Sequence, residues 1–275
     1  MIRATWPSID DKDLYSRATI HRTDASTELS ALREPVLTRY ETYSNEEGLC
    51  APKTWPHSDN ELLKENWHCL SAESFRDVRP EIFRTTGKLC FLCGRKAGEI
   101  DHYLPRTKFP EYSIFAPNLL PACRYCNNKK RARYHQNGER LYFHPHYMQL
   151  PRTRFLFVEL TFGSTVTVTY DVDRTSNGEI FEVLRRHFDD LQLADRYRDD
   201  AIDYLIEQLT AYDCYLEASG ETGLRSILQT EANSVAGARG KNHWRAALLQ
   251  ALADSNEFCS GGFRVLGTPP LSLDV

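Results

Sequence analysis

The sequence predicts an α+β fold, and three observations carry that expectation. Apolar residues recur at helical spacing through residues 27–85 and again from residue 176 onward. Strict alternation marks one hairpin near 154–172, and two Cys-x-x-Cys pairs frame a compact central stretch. With 275 residues, 41% of them hydrophobic and 11% aromatic, the chain is long enough to bury a core of its own. The changes in pattern predict three segments: an N-terminal helical arm over 1–85, a central module over 86–150, and a C-terminal β-hairpin plus helices over 151–275.

Residues 1–26 are polar and rich in Asp without a sustained period, so a loop or docked arm is expected there. From Thr27, the residues Leu29, Leu32, Val36, Tyr40 and Tyr43 fall in steps of three and four, while Pro35 predicts a late start or a kink. Residues 45–58 are turn-rich. Two short helices are expected near 60–70 and 72–85, the second with Phe75, Val78, Ile82 and Phe83 as its apolar stripe and Pro80 interrupting it. Alternation on both sides of Gly163-Ser164 predicts the hairpin. Ile180, Val183, Leu184, His187 and Leu191, then Ile202, Leu205, Ile206, Leu209 and Leu216, each mark one apolar helical face, and a last helix is expected near 243–253. No run approaches the roughly 18 apolar residues of a membrane span, and residues 1–14 lack an apolar targeting core. A soluble, cytoplasmic protein with no membrane partner is therefore expected.

The overall charge of −4 hides an asymmetry. Residues 86–150 hold eleven Lys and Arg against four acids, so the rest of the chain is strongly acidic. A basic island in an acidic chain points to a polyanion, such as nucleic acid, at that island.

Cys90 and Cys93 form the first Cys-x-x-Cys pair, and Cys123 and Cys126 the second. Each pair makes a tight knuckle, and four thiolates satisfy one tetrahedral zinc ion, with no open position left for chemistry. A structural zinc is expected. Cys50, Cys69, Cys214 and Cys259 share no spacing and are expected as free thiols.

Inside the loop that this ion would close lies Asp101-His102, near the predicted end of a strand because Pro105 follows. Neighbouring strand residues point to opposite faces, so both can serve one site only where the strand twists or ends. Asn118 lies in the same loop, and Asn127 directly follows the last cysteine. Residues 126–136 read as a helix stopped by Asn137-Gly138, with Lys130 and Arg131 on the face of Asn127. An amide at a helix start with cations one turn later suits a phosphate.

The order Cys-x-x-Cys, Asp-His, Asn, Cys-x-x-Cys-Asn-x-x-Lys resembles the HNH endonuclease family in its zinc-stapled ββα-metal form. The likeness covers about 45 residues, with Asn127 where the family's name has its last His. It implies a ββα-metal core and hydrolysis of a phosphodiester in nucleic acid, DNA being the expected substrate. His102 would be the general base, and Asp101 and Asn127 would hold one catalytic Mg²⁺ or Mn²⁺. Asn118 would fix the loop that orients His102. Arg106, Lys108, Arg124 and Lys130 would contact phosphates, and a pKa near ~6.5 would suit His102 to its task. Similar proteins carry an HPY-like stretch after this module, so His144 is expected either in the cleft or packed as a structural residue, and His146 is left without a role. The longer layout resembles HNH components of prokaryotic anti-phage systems, which implies an ATPase partner.

Two rivals lie outside this reading. A zinc deaminase needs His-x-Glu ahead of Pro-Cys-x-x-Cys, whereas here Pro121 stands one residue out of register and no His-x-Glu precedes it. A non-catalytic zinc module binding nucleic acid or a partner protein explains the cysteines and the charge, but leaves Asp101, His102, Asn118 and Asn127 as coincidence.

Overall fold

The computed structural model describes residues 3–136 and 138–267. The chain divides into two compact units, 1–150 and 151–275, so the helical arm and the cysteine-bearing segment belong to one body.

The first unit opens with a helix where the sequence suggested a loop. Helix α1 spans Asp11–His21 and buries Leu14, Tyr15 and Ala18. The Asp-rich run is its cap: the Asp10 side chain accepts from the backbone N–H of Lys12 and Asp13, and Asp11 and Asp13 sit at the positive end of the helix dipole. Helix α2, Ser26–Asn45, runs through Pro35 and buries Leu29, Val36, Leu37, Tyr40 and Tyr43. The missing proline N–H deprives only the carbonyl of Ala31, an exposed residue where water can serve, so the helix neither starts late nor breaks. Helix α3, His57–Glu65, gives way to a 3₁₀ segment over Asn66–Ser71. A second 3₁₀ turn, Glu73–Phe75, precedes helix α4, Val78–Arg84, which carries Pro80 in its first turn, where no donor is needed.

Strand β1, Glu99–His102, pairs antiparallel with strand β2, Leu119–Ala122, in the register Glu99↔Ala122 through His102↔Leu119. Helix α5, Arg124–Lys130, follows β2. This helix is shorter than the eleven residues expected, because Arg131 takes φ 50° and turns the chain away at once. Of the expected stop signal, Asn137 lies outside the described residues. Two short strands, β3 at His135–Gln136 and β4 at Glu139–Arg140, pair antiparallel beyond it.

The long loop between β1 and β2 is tied to the arm by buried polar contacts. Glu111 accepts from Arg39 Nε at 2.9 Å and from Trp55 Nε1 at 3.0 Å, and the Tyr112 hydroxyl donates to the Arg39 carbonyl. Each partner of the buried carboxylate is thus satisfied, which such burial requires. Around them Tyr40, Tyr43, Tyr112 and Phe115 pack ring against ring.

In the second unit, strands β5 (Leu156–Phe162) and β6 (Val166–Val172) form the expected hairpin. Val166, Val168, Tyr170 and Val172 alternate inward with exposed residues between them. Helix α6 spans Glu179–Asp190, and helix α7 spans Leu193–Arg239 with an abrupt change of direction at Gly220, whose φ of 67° only glycine takes readily. Helix α8, Trp244–Asp254, packs against α7 and β5, and a short helix α9 (Asn256–Cys259) follows. Among the described residues no helix is long and apolar enough to cross a membrane.

Candidate functional site

The four cysteines of the two pairs converge. Their Sγ atoms all lie within 4.8 Å of one another, and Cys93 and Cys123 approach to 3.7 Å. An edge of about 3.8 Å is what a tetrahedron with metal–sulfur bonds of ~2.3 Å requires, so this cluster could hold a metal such as zinc. Cys90, Cys93 and Cys126 are buried and Cys123 is half-buried. The first knuckle closes through Gly94 N donating to Cys90 O, and Phe91 N donates to Pro121 O of β2. The backbone therefore holds the two pairs together. Cys50, Cys69 and Cys259 are buried free thiols, and Cys214 is exposed.

Beside this cluster lies a cleft of about 410 Å³ lined by Trp67, Arg79, Glu99, Ile100, Asp101, His102, Arg106 and Asn127. Asp101 and His102 both reach it because β1 ends at His102, which relaxes the strict alternation of faces. Three residues that the sequence placed together by motif alone thus meet in one concavity: Asp101 and His102 from β1, and Asn127 from α5.

His102 is held in a defined tautomer. Its Nε2 lies 2.9 Å from the carbonyl oxygen of Ser113, which can only accept, so the proton sits on Nε2 and the lone pair of the neutral ring on Nδ1. Trp67 packs against the imidazole edge to face at 4.6 Å between centroids. Burial pushes the His102 pKa down to about 3; the bond to Ser113 opposes this, and the nearby Arg106 and Lys130 charges add to it. Burial thus sets this ring apart from the unperturbed histidine that the sequence suggested.

Asn118 is wholly buried, and its side chain makes four hydrogen bonds. Its Oδ1 accepts from Leu104 N at 2.8 Å and from the Tyr43 hydroxyl at 3.1 Å, and its Nδ2 donates to Leu104 O and Tyr112 O, both at 3.1 Å. It thereby clamps the two ends of the loop beside Ser113, the residue that fixes His102.

Lys130, expected at a phosphate, is instead fully buried. Its Nζ lies 3.1 Å from Asp101 Oδ2, donates to His102 O at 2.6 Å and faces the Tyr142 ring at 5.9 Å. The step of three from Asn127 does bring it to the face that packs on β1, but that face points inward. Burial raises the Asp101 pKa, with the Lys130 charge holding it back. Asp101 Oδ2, although paired with that charge, receives no well-aligned hydrogen bond.

Arg106 lines the cleft and donates to Lys64 O at 3.3 Å. Arg124 is exposed at the start of α5, and the ammonium of the exposed Lys108 sits 5.1 Å from the centre of the Tyr134 ring, outside the residues that line the cleft. His144 does not reach the cleft: it is completely buried, with Nε2 3.0 Å from the Tyr43 hydroxyl and Nδ1 accepting from His146 N. It is a packing residue behind Asn118. His146 stacks on Trp6 at 5.0 Å.

Four cleft residues were not expected at the site, Ile100 among them as the apolar neighbour of Asp101 on β1. Trp67 and Arg79 come from the helical arm and reach the cleft only through tertiary packing. Glu99 was legible, since it stands two residues before Asp101 on the same strand and shares its face.

No protein-family model matches the chain, and no solved structure matches it. Among known proteins the chain is similar to Protein ea31 of Escherichia phage lambda, at 25% identity over 202 residues, which is 68% of this chain and 68% of that protein.

Proposed function

We propose that this protein is a metal-dependent endonuclease of the HNH type that hydrolyses phosphodiester bonds, with DNA as substrate. The observation that carries the reading is the cleft itself, where Asp101, His102 and Asn127 line one concavity with Arg79 and Arg106 at its wall. A zinc ion on Cys90, Cys93, Cys123 and Cys126 would staple the turn ahead of β1 to the start of α5 and take no part in the reaction.

The donor chemistry of the cleft fits a hard divalent cation. Asp101 lines the cleft with a carboxylate whose Oδ2 is paired with Lys130 Nζ at 3.1 Å, and Asn127 presents an amide oxygen that accepts no hydrogen bond among the described residues. Asp101 and Asn127 would hold Mg²⁺ or Mn²⁺, which supplies charge neutralisation at the scissile phosphate and the leaving 3′ oxygen.

His102 supplies the base. Its Nδ1 lone pair takes the proton of the attacking water, while the carbonyl of Ser113 remains hydrogen-bonded to Nε2–H and stabilises the imidazolium that forms. The depressed pKa keeps the ring neutral at any physiological pH but also makes it a weaker base in the absence of substrate. An incoming phosphate offsets the positive charge of Arg106 and so raises the basicity of His102 when substrate arrives. Arg106 and Arg124 contact the sugar-phosphate backbone without reading sequence, and Lys108 extends that basic surface. Lys130 holds Asp101 in place from behind. The longer resemblance supports a role beside an ATPase in anti-phage defence.

Supercoiled plasmid and structured RNA, each incubated with the protein in Mg²⁺ or Mn²⁺ and again in excess chelator of divalent cations, test the reading. Nicking of plasmid that needs the cation and falls at least tenfold in Asn127→Ala is expected. Cleavage of RNA alone would move the substrate assignment. Absence of any cleavage would favour the non-catalytic zinc module.

A further inference from the structure

One carboxylate of the cleft has no part in the mechanism above. Glu99 Oε2 lies 2.7 Å from Asn127 Nδ2. A carboxylate cannot donate, so the amide nitrogen must face Glu99 and the amide oxygen must point the other way. Without that partner the amide could turn over at little cost, and half of its orientations would offer N–H groups to a cation. Only the oxygen is a ligand for a hard ion.

Both ends of this bond stand on a held frame. Glu99 pairs with Ala122 in the β1–β2 ladder, and the preceding Gly98 donates to Ala122 O at 3.0 Å while its carbonyl accepts from Arg79 Nη2 at 2.6 Å. Asn127 follows directly on Cys126, whose thiol belongs to the four-cysteine cluster. The contact is thus a rigid bridge between strand and helix.

We infer that Glu99 is a positioning residue, which locks the Asn127 side chain with its oxygen presented for a divalent cation. The inference rests on the reading of the cleft as a cation site. It is distinct from a direct ligand role, because Glu99 would then act whether or not Asn127 were present.

A double-mutant cycle tests it. Zinc-loaded full-length protein is titrated with Mn²⁺, and free Mn²⁺ is followed by its paramagnetic resonance signal, for wild type, Glu99→Ala, Asn127→Ala and the double variant. Zinc content and circular dichroism check that each is folded. Glu99→Ala is expected to weaken binding about tenfold, and the double variant to bind no worse than Asn127→Ala alone. Wild-type affinity in Glu99→Ala overturns the inference, as do losses that add in the double variant. A wild type that binds no Mn²⁺ overturns the cation-site reading itself and the inference with it.

Discussion

At the scale of single residues, the site is defined by what each side chain is prevented from doing. His102 cannot place its proton on Nδ1, because Ser113 O already accepts from Nε2, and it cannot readily become charged, because burial holds its pKa near 3. The sign of that shift gives a pH prediction. If His102 is the general base, its active form is the neutral ring, and a lowered pKa keeps the ring neutral far into acid. The value of kcat/KM should therefore stay level from about pH 8 to about pH 5.5, where an unshifted histidine would already have lost roughly tenfold. A fall centred near pH 6.5 in a steady-state profile would contradict it. The sequence names His102 but does not reveal this, since the cause is Trp67 and the loop carrying Ser113, neither of them next to it in the chain. Lys130 teaches the same lesson. Its spacing from Asn127 was legible, but the direction in which that helix face points was not.

At the scale of elements, α1 shows how the first unit begins with a helix where the sequence reads as a polar loop or docked arm. Its first residue, Asp11, accepts from Ala116 N at 2.7 Å and so ties the helix to the β1–β2 loop. Burial pushes the Asp11 pKa up to about 7; the Ala116 bond opposes this and the neighbouring Asp10 charge adds to it. In the unfolded chain the same group titrates near ~3.9, so the folded state holds its proton more tightly. Stability contributed here is full below the unfolded value and is lost as pH rises from about 4 through about 7. Asp11→Asn keeps an acceptor for Ala116 N without the charge. It is expected to stabilise the first unit by about 2 kcal/mol near pH 8 and by little near pH 4, read from denaturant unfolding at both pH values. Equal effects at the two would show that Asp11 is ionised without penalty. Several other elements were legible from their periods: α2 in spite of Pro35, the β5–β6 hairpin, α6 and α8. In α7 the sequence reading stopped at Leu216, well short of Arg239, and Ile206, expected on its apolar face, is exposed. The short α5 was not, because what ends it is the positive φ of Arg131 rather than a glycine or proline.

At the scale of the whole molecule, two kinds of donor divide the labour: sulfur holds the frame, and oxygen and nitrogen line the cleft. The cysteine spacing made the frame legible, whereas the walls of the cleft contributed by Trp67 and Arg79 depend on packing across the first unit. If the cysteines hold zinc, its binding energy is folding energy for this unit. Removal with a strong chelator should lower the melting temperature and release hydrogen-exchange protection in β1, β2 and α5. An unchanged exchange pattern after complete loss of zinc would mean that the metal is not structural. The frame and the chemistry should then separate by mutation. The most direct measurement is the rate of plasmid nicking by His102→Ala beside wild type, at equal zinc content and with matched circular dichroism. The account predicts a loss of at least a hundredfold with the fold intact, and equal nicking by both proteins would contradict it.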